Sequence, residues 1–123
     1  MNSLNDEINP SGVFDLNKAL EIVGGDRILL AEVLAIFFEE AAKKVDELRD
    51  SLESGDIEKL KMTAHTLKGS SANVAAERIH ALALEIERLI GLGRLGEIQG
   101  IIDKLPNEID LVRTVYTSIS SKS

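Results

Sequence analysis

The chain has 123 residues, of which 44% are hydrophobic and 28% charged, and its formal net charge is −7. A chain of this length forms one domain that buries its own core, and its acidic balance argues against non-specific binding of nucleic acid or of an anionic membrane. It contains no cysteine, which excludes disulfides and thiolate metal sites. It has neither a leader-like N-terminus nor an apolar run long enough to span a bilayer, so we expect a cytoplasmic protein with no membrane association.

The composition favours helices over strands, since proline occurs twice and aromatic residues make up only 3% of the chain. Residues 1–12 are polar and predict a flexible N-terminal tail. Residues 13–120 predict the folded domain, and residues 121–123 a short C-terminal tail.

Three aspartates stand where an apolar helical pattern begins, and each can accept a hydrogen bond from a free backbone N–H group as an N-cap. Asp15 precedes a short helix that ends at a pair of glycines. Asp26 precedes the longest apolar pattern, which predicts a helix to about Ser54. Asp56 precedes a third helix that runs to about Asn73, a residue type that tolerates the left-handed conformation of a helix C-cap.

A fourth helix is predicted from about Ala76 to the Gly91 region. The last apolar pattern, from Ile98 to Ile119, continues through Pro106, which lacks an N–H donor and predicts a kink or a broken turn. Four long amphipathic segments joined by short turns predict an all-α protein, an antiparallel up-down-up-down four-helix bundle with an additional short N-terminal helix. A monomer is the simplest assembly for such a bundle.

The third helix has two stripes of residues at helical spacing. The apolar stripe, which must be buried, consists of Ile57, Leu60, Ala64, Leu67, Ser71 and Val74. His65 lies roughly 130° from the centre of that stripe and shares the second one with Lys61, Lys68, Gly69 and Ala72. The imidazole is therefore predicted to face outward, between two cations and beside two residues with almost no side chain.

This second stripe suits a histidine that carries a phosphoryl group. A neutral imidazole is a nucleophile near pH 7, and the ammonium groups of Lys61 and Lys68 would favour the neutral ring and later compensate the charge of a phosphorylated one. Gly69 costs about 1 kcal/mol relative to alanine inside a helix. We interpret it as clearance for the backbone of a partner protein.

The run from His65 to Asn73 resembles the signature of histidine-containing phosphotransfer domains, the intermediate carriers of phosphorelays. Further similar positions are Phe14-Asp15, Gly24-Gly25-Asp26, Phe37, Ala64, Ala76 and Leu84-Glu85. The resemblance implies that His65 is the phosphoacceptor, that Lys68 stabilises the phosphoryl group and that Gly69 gives the partner room. One departure is Ala75, where many members have glycine.

The same resemblance implies a phosphocarrier in two-component signal transduction, without an ATP-binding or kinase motif of its own. His65 would accept a phosphoryl group from the aspartate of a receiver domain and pass it to another receiver. The implied partners are the receiver domains of response regulators and a hybrid sensor histidine kinase, which would dock around Lys61, Gly69 and Ala72. No cofactor is expected in this domain, and Mg²⁺ is expected from the receiver.

Other readings of the sequence remain open. The domain could be loaded by the separate ATP-binding domain of a chemotaxis-type kinase, or it could be a non-catalytic helical adaptor for receiver-like partners. Ser70 and Ser71 lack the partners of a catalytic serine, and two histidines without cysteine match no metal-ligand spacing. The second histidine, His80, is predicted to lie at the polar rim of the fourth helix.

Overall fold

The computed structural model describes residues 12–122 of the chain. Most of the predicted N-terminal tail and the last residue lie outside this range. The helices are α1 (Leu16–Ile22), α2 (Arg27–Ser54), α3 (Ile57–Asn73), α4 (Glu77–Gly91), a 3₁₀ turn (Leu95–Glu97), α5 (Ile98–Ile102) and α6 (Leu105–Lys122). The predicted all-α bundle is confirmed, and residues 12–122 contain no strand.

The three predicted aspartate caps are all formed. The carboxylates of Asp15, Asp26 and Asp56 each accept a hydrogen bond from the backbone N–H three residues further on, at 3.0–3.1 Å. At the other end of α2, Gly55 adopts a left-handed conformation with φ of 77°, which glycine reaches without strain. Local sequence signals thus set the limits of the first three helices.

The fourth position of the bundle is shared by α5 and α6. The chain leaves α5 at Ile102, turns through Asp103 and Lys104, and enters α6 with Pro106 as the second helical residue. Proline is tolerated in the first turn of a helix because its missing N–H would have had no partner there. The predicted broken turn at Pro106 is confirmed.

The turn between α3 and α4 differs from the prediction. Asn73 is the last residue of α3, and the left-handed conformation belongs instead to buried Ala75, with φ of 56°. The carbonyl of Ala75 accepts a hydrogen bond from the Asp15 N–H at 3.2 Å, and the carbonyl of Gly12 accepts one from the Arg78 N–H at 2.7 Å. The segment before α1 therefore crosses this turn and holds it.

Helix α3 lies between α2 and α4 and packs against both. The residues Leu60, Ala64, Leu67 and Ser71 on its predicted apolar stripe are fully buried. The opposite face of α3, with His65 at its middle, is left open to solvent. None of the helices in the described part of the chain has the length and hydropathy that a membrane span requires.

Candidate functional site

His65 projects from the middle of α3, and 70% of its side chain is exposed. This outward position agrees with the angular prediction. The ring is approached from one side by a carboxylate of α4, since the Nδ1 atom of His65 lies 3.5 Å from Oε2 of Glu87. A carboxylate only accepts hydrogen bonds, so it favours the tautomer with the proton on Nδ1. Nε2 is then the nitrogen with a free lone pair.

Glu87 also pairs with Lys68. The ammonium Nζ lies 2.8 Å from Oε1 of Glu87, and only 25% of the Lys68 side chain and 20% of the Glu87 side chain are exposed. At this distance the ammonium and the largely buried carboxylate form a close ion pair between α3 and α4. Lys68, one of the two cations predicted beside His65, is therefore paired with an anion that the sequence analysis did not place there.

Two opposing effects act on the pKa of the Glu87 carboxyl. Burial raises its pKa, but the contacts with Lys68 and His65 outweigh burial and hold the pKa below the usual value for glutamate. Glu87 is consequently an anion at neutral pH, between an ammonium group and an imidazole. The three side chains, two from α3 and one from α4, form a cluster that we call the His65–Glu87–Lys68 triad.

The other predicted site residues lie around this triad. Lys61 lines a shallow depression beside His65, together with Glu58, Met62 and Glu87. Gly69 and Ala72 are exposed on the same face of α3. A Cβ atom added at Gly69 would meet no atom within 4 Å outside its chain neighbours and the adjoining backbone of α3, so no packing contact within the described residues requires glycine there.

His80 lies at the rim of α4, as predicted, and it also contacts α3. Its ring is half-buried between α4 and α3, with Nδ1 3.0 Å from the backbone carbonyl oxygen of Lys68. Because a carbonyl only accepts, Nδ1 of His80 carries the proton and donates. This histidine therefore links the two helices directly behind the triad.

The chain is similar to known proteins in sequence and in fold. The family model described as the Hpt domain matches residues 32–115. Multistep phosphorelay regulator 1 of Schizosaccharomyces pombe is 34% identical over 84 residues, which are 68% of this chain and 27% of that protein. The chain thus spans about a quarter of the length of this relative.

Two solved structures share the fold. Histidine-containing phosphotransfer protein B from Pseudomonas aeruginosa PAO1 matches with a TM-score of 0.80 at 21% identity, covering 92% of this chain and 98% of that one. The HPT domain of a sensor hybrid histidine kinase from Shewanella matches with a TM-score of 0.71 at 19% identity, covering 89% and 96% of the two chains. With the family match over more than half of its length, this chain belongs to the Hpt domain family, the histidine-containing phosphotransfer domains.

Proposed function

We propose that His65 is the phosphoacceptor of a phosphorelay and that it carries the group between receiver domains. The observation that supports this most directly is an exposed imidazole whose Nδ1 faces a carboxylate, so that Nε2 is the nitrogen with a free lone pair. An ammonium group within the same cluster supplies a positive charge beside the ring. A nucleophile, a proton-holding anion and a cation are thereby assembled from two adjacent helices.

The transfer step follows from these groups. The lone pair of Nε2 attacks the phosphorus of an aspartyl phosphate on the receiver, in line with the scissile bond. The N–P bond forms while the P–O bond breaks, and the aspartate leaves as a carboxylate with the bonding electron pair. The proton on Nδ1 stays in place, and Glu87 stabilises the positive charge that the ring acquires.

Onward transfer reverses these events. The carboxylate of a second receiver attacks phosphorus, the N–P bond breaks, and its electron pair returns to Nε2. The ring leaves as a neutral imidazole because Nδ1 already carries a proton. Mg²⁺ would come from the receiver and neutralise charge on the phosphoryl oxygens.

We place the docking receiver on the open face of α3. Gly69 and Ala72 leave the backbone accessible there, and the exposed side chain of Met62 adds apolar area beside the ring. A second exposed apolar residue, Ile36, borders a shallow groove between α2 and the end of α3. A partner that covers both would bring its phosphoaspartate to His65 from the solvent side. The receivers of response regulators and of hybrid sensor histidine kinases are the partners that this placement suits.

The decisive experiment is loading from a receiver. A panel of receiver domains phosphorylated with acetyl phosphate is mixed with the purified chain, and the phosphate on the chain is followed by ³¹P NMR. We expect an acid-labile, alkali-stable phosphoramidate on one histidine, and its loss when an unphosphorylated receiver is added.

Two other results would point to other functions. Labelling only by a separate kinase domain with ATP, without transfer from any receiver, would assign the chain to a chemotaxis-type kinase. Receiver binding that leaves the chain unphosphorylated would contradict the carrier function and support a non-catalytic adaptor.

A further inference from the structure

Four helices of the described chain end in a turn with a left-handed residue, and one of the four lacks the residue type that suits it. After α1, α2 and α4 the left-handed residue is a glycine, namely Gly24, Gly55 and Gly93, with φ of 68°, 77° and 71°. After α3 it is Ala75, with φ of 56°, the one non-glycine residue among residues 12–122 that has a positive φ. In this conformation the Cβ atom of an alanine crowds the following carbonyl oxygen, a contact that glycine avoids. The α3–α4 turn therefore carries backbone strain that the other three turns do not.

The hydrogen bonds of the α3–α4 turn are those of a Schellman motif. The N–H of Ala76 donates to the carbonyl of Ser71 at 2.9 Å, and the N–H of Ala75 donates to the carbonyl of Ala72 at 3.1 Å. The turn after α2 is closed by the same pair of bonds around Gly55, at 2.9 and 3.3 Å. The two turns are thus alike in hydrogen bonding and differ in the residue that is left-handed.

The alanine turn is supported by a second segment of the chain. Residues 12–15, which we call the strap, cross it before α1 begins. The N–H of Asp15 donates to the carbonyl of Ala75 at 3.2 Å, and the carbonyl of Gly12 accepts from the N–H of Arg78 at 2.7 Å. Of the four left-handed turn residues described above, Ala75 is the one whose carbonyl is bonded by the backbone of another segment. The strained turn and the supported turn are therefore the same turn.

Apolar packing fixes the strap between its two hydrogen bonds. The side chains of Val13 and Phe14 belong to residues that are only 1% and 2% exposed. The ring of Phe14 meets the ring of Tyr116 on α6 edge to face, with 5.9 Å between the ring centroids. Burial of a large aromatic side chain stabilises a contact more than one hydrogen bond does. Phe14 is therefore the residue that holds the strap on the turn.

We infer that the strap controls the order of the α3–α4 turn: while the strap is in place Ala75 stays left-handed, and when the strap leaves, the turn and the end of α3 lose their fixed conformation. The end of α3 carries Ala72, and Gly69 lies one turn before it, on the face where we place the receiver. The strap thereby regulates docking, an effect that rests on the proposed function, whereas its effect on the turn does not. With glycine at position 75 the turn should keep its shape without the strap, as the turn at Gly55 does.

The first test measures hydrogen exchange of the amides that close the two turns. The N–H of Ala76 reports on the α3–α4 turn, and the N–H of Asp56, which makes the equivalent bond after α2, is the matched control within the same molecule. Phe14→Ala should lower the protection of Ala76 relative to Asp56 on the order of tenfold, the cost of a left-handed alanine that the turn must then bear alone. Adding Ala75→Gly to that variant should restore the protection.

Two exchange results would overturn the inference. One is an equal loss of protection at Ala76 and Asp56 in Phe14→Ala, which would mean that the whole domain is destabilised and that the strap has no special effect on the turn. The other is a loss at Ala76 that Ala75→Gly does not reverse. Phe14→Leu, which keeps apolar volume but loses the ring contact with Tyr116, takes the place of Phe14→Ala if circular dichroism shows that Phe14→Ala is unfolded.

The second test measures loading by a phosphorylated receiver in the same variants. Phe14→Ala should slow phosphorylation on the order of tenfold, and Ala75→Gly should restore the rate. The control for a general gain in stability is Gly100→Ala, which adds helix propensity at an exposed site in α5 where a Cβ atom meets nothing. Combined with Phe14→Ala, it should not restore the rate.

The two tests separate the inference from the proposed function. A normal loading rate in Phe14→Ala, or equal rescue by Gly100→Ala and Ala75→Gly, would overturn the regulation of docking while leaving the carrier function intact. Failure of every receiver to load the parent chain would overturn the proposed function and the regulation with it. Hydrogen exchange would still decide in that case whether the strap holds the turn.

Discussion

The two histidines of this chain lie on adjacent helices, yet their rings have opposite surroundings. His65 on α3 is mostly exposed, and its Nδ1 atom faces the carboxylate of Glu87. His80 on α4 is half-buried, and its Nδ1 atom donates to the backbone carbonyl of Lys68. Both rings thus have Nδ1 engaged by an oxygen of the neighbouring helix, but only His65 combines this with an open approach.

Lys68 connects the two environments. Its side chain points to Glu87 and belongs to the site around His65, while its backbone carbonyl accepts the hydrogen bond of His80. The side chain of Lys68 therefore belongs to the proposed site, whereas its backbone carbonyl contributes to the packing of α3 against α4. The comparison teaches that the two rings differ in solvent access more than in the oxygen that faces Nδ1, and the proposed carrier function of His65 depends on that access.

The largest expected effect is the loss of the carrier nitrogen. His65→Gln should abolish receiver-dependent phosphorylation, because glutamine offers no nucleophilic ring nitrogen. His80→Gln should still be loaded, since His65 and its neighbours remain. Both variants are tested by ³¹P NMR after mixing with phosphorylated receiver. Phosphate that persists on His65→Gln would reverse the assignment of the two rings.

A bulky side chain at position 69 should block the access of a receiver to His65. Gly69→Leu should slow transfer from the receiver about five- to a hundredfold, because a bulky side chain at a packed contact costs about 1–3 kcal/mol and 1.4 kcal/mol is about tenfold. Gly100→Leu is the matched control, since Gly100 is also exposed, helical and free of atoms that a Cβ would meet. Both variants gain helix propensity. Equal transfer rates for the two would show that Gly69 does not act as clearance.

The side chain of Lys68 can be removed without touching its carbonyl. Lys68→Ala should slow phosphorylation of His65 about tenfold, the effect of one charge near the transferred group at a partly screened distance. The hydrogen bond of His80 should survive, so the melting temperature should change little beyond the lost pair with Glu87. Rapid-quench kinetics and thermal unfolding measure the two outcomes. A normal transfer rate combined with a lowered melting temperature would make Lys68 a structural residue only.

Much of the fold could be predicted because its signals are local. Asp15, Asp26 and Asp56 act within three residues of themselves, and Pro106 cannot occupy the interior of a helix without breaking a hydrogen bond. The outward position of His65 follows from helix geometry alone. Each of these features depends on a few neighbours along the chain, which is the range that a single sequence describes.

The contact of Glu87 with His65 and the left-handed conformation of Ala75 could not be predicted from local signals. Glu87 meets His65 only because the α3–α4 turn sets the register of two antiparallel helices, although its helical spacing from His80 hints at a shared face. The turn itself depends on the segment at Asp15, whose N–H binds the carbonyl of Ala75. Intrinsic preference favours Asn73 for a left-handed residue, but tertiary contacts assign that conformation to an alanine.

A smaller effect is expected when the half-buried His80 is replaced. His80→Ala should lower the free energy of unfolding by about 1 kcal/mol, the usual net value of one hydrogen bond, with a further loss from the half-buried ring. Receiver-dependent phosphorylation should stay near the parent rate. Urea unfolding at neutral pH measures the first quantity and loading kinetics the second. A transfer defect larger than the stability loss would mean that His80 contributes to the site around His65.

The smallest effect concerns the pH dependence of stability. Contacts with Lys68 and His65 outweigh burial and lower the pKa of Glu87 in the folded chain, so the unfolded chain binds its proton at higher pH. Stability from this group is therefore complete above the ordinary glutamate pKa, about 4.3, and is lost as pH falls through the folded pKa. For a partly exposed pair we expect a contribution to the unfolding free energy of less than about 1 kcal/mol.

Other carboxylates titrate in the same range, so the informative quantity is the difference in unfolding free energy between the parent and Glu87→Gln, measured at pH 7 and at pH 3.5. That difference should be positive at pH 7 and shrink at pH 3.5, and a difference that grows on acidification would contradict the ion pair between Glu87 and Lys68.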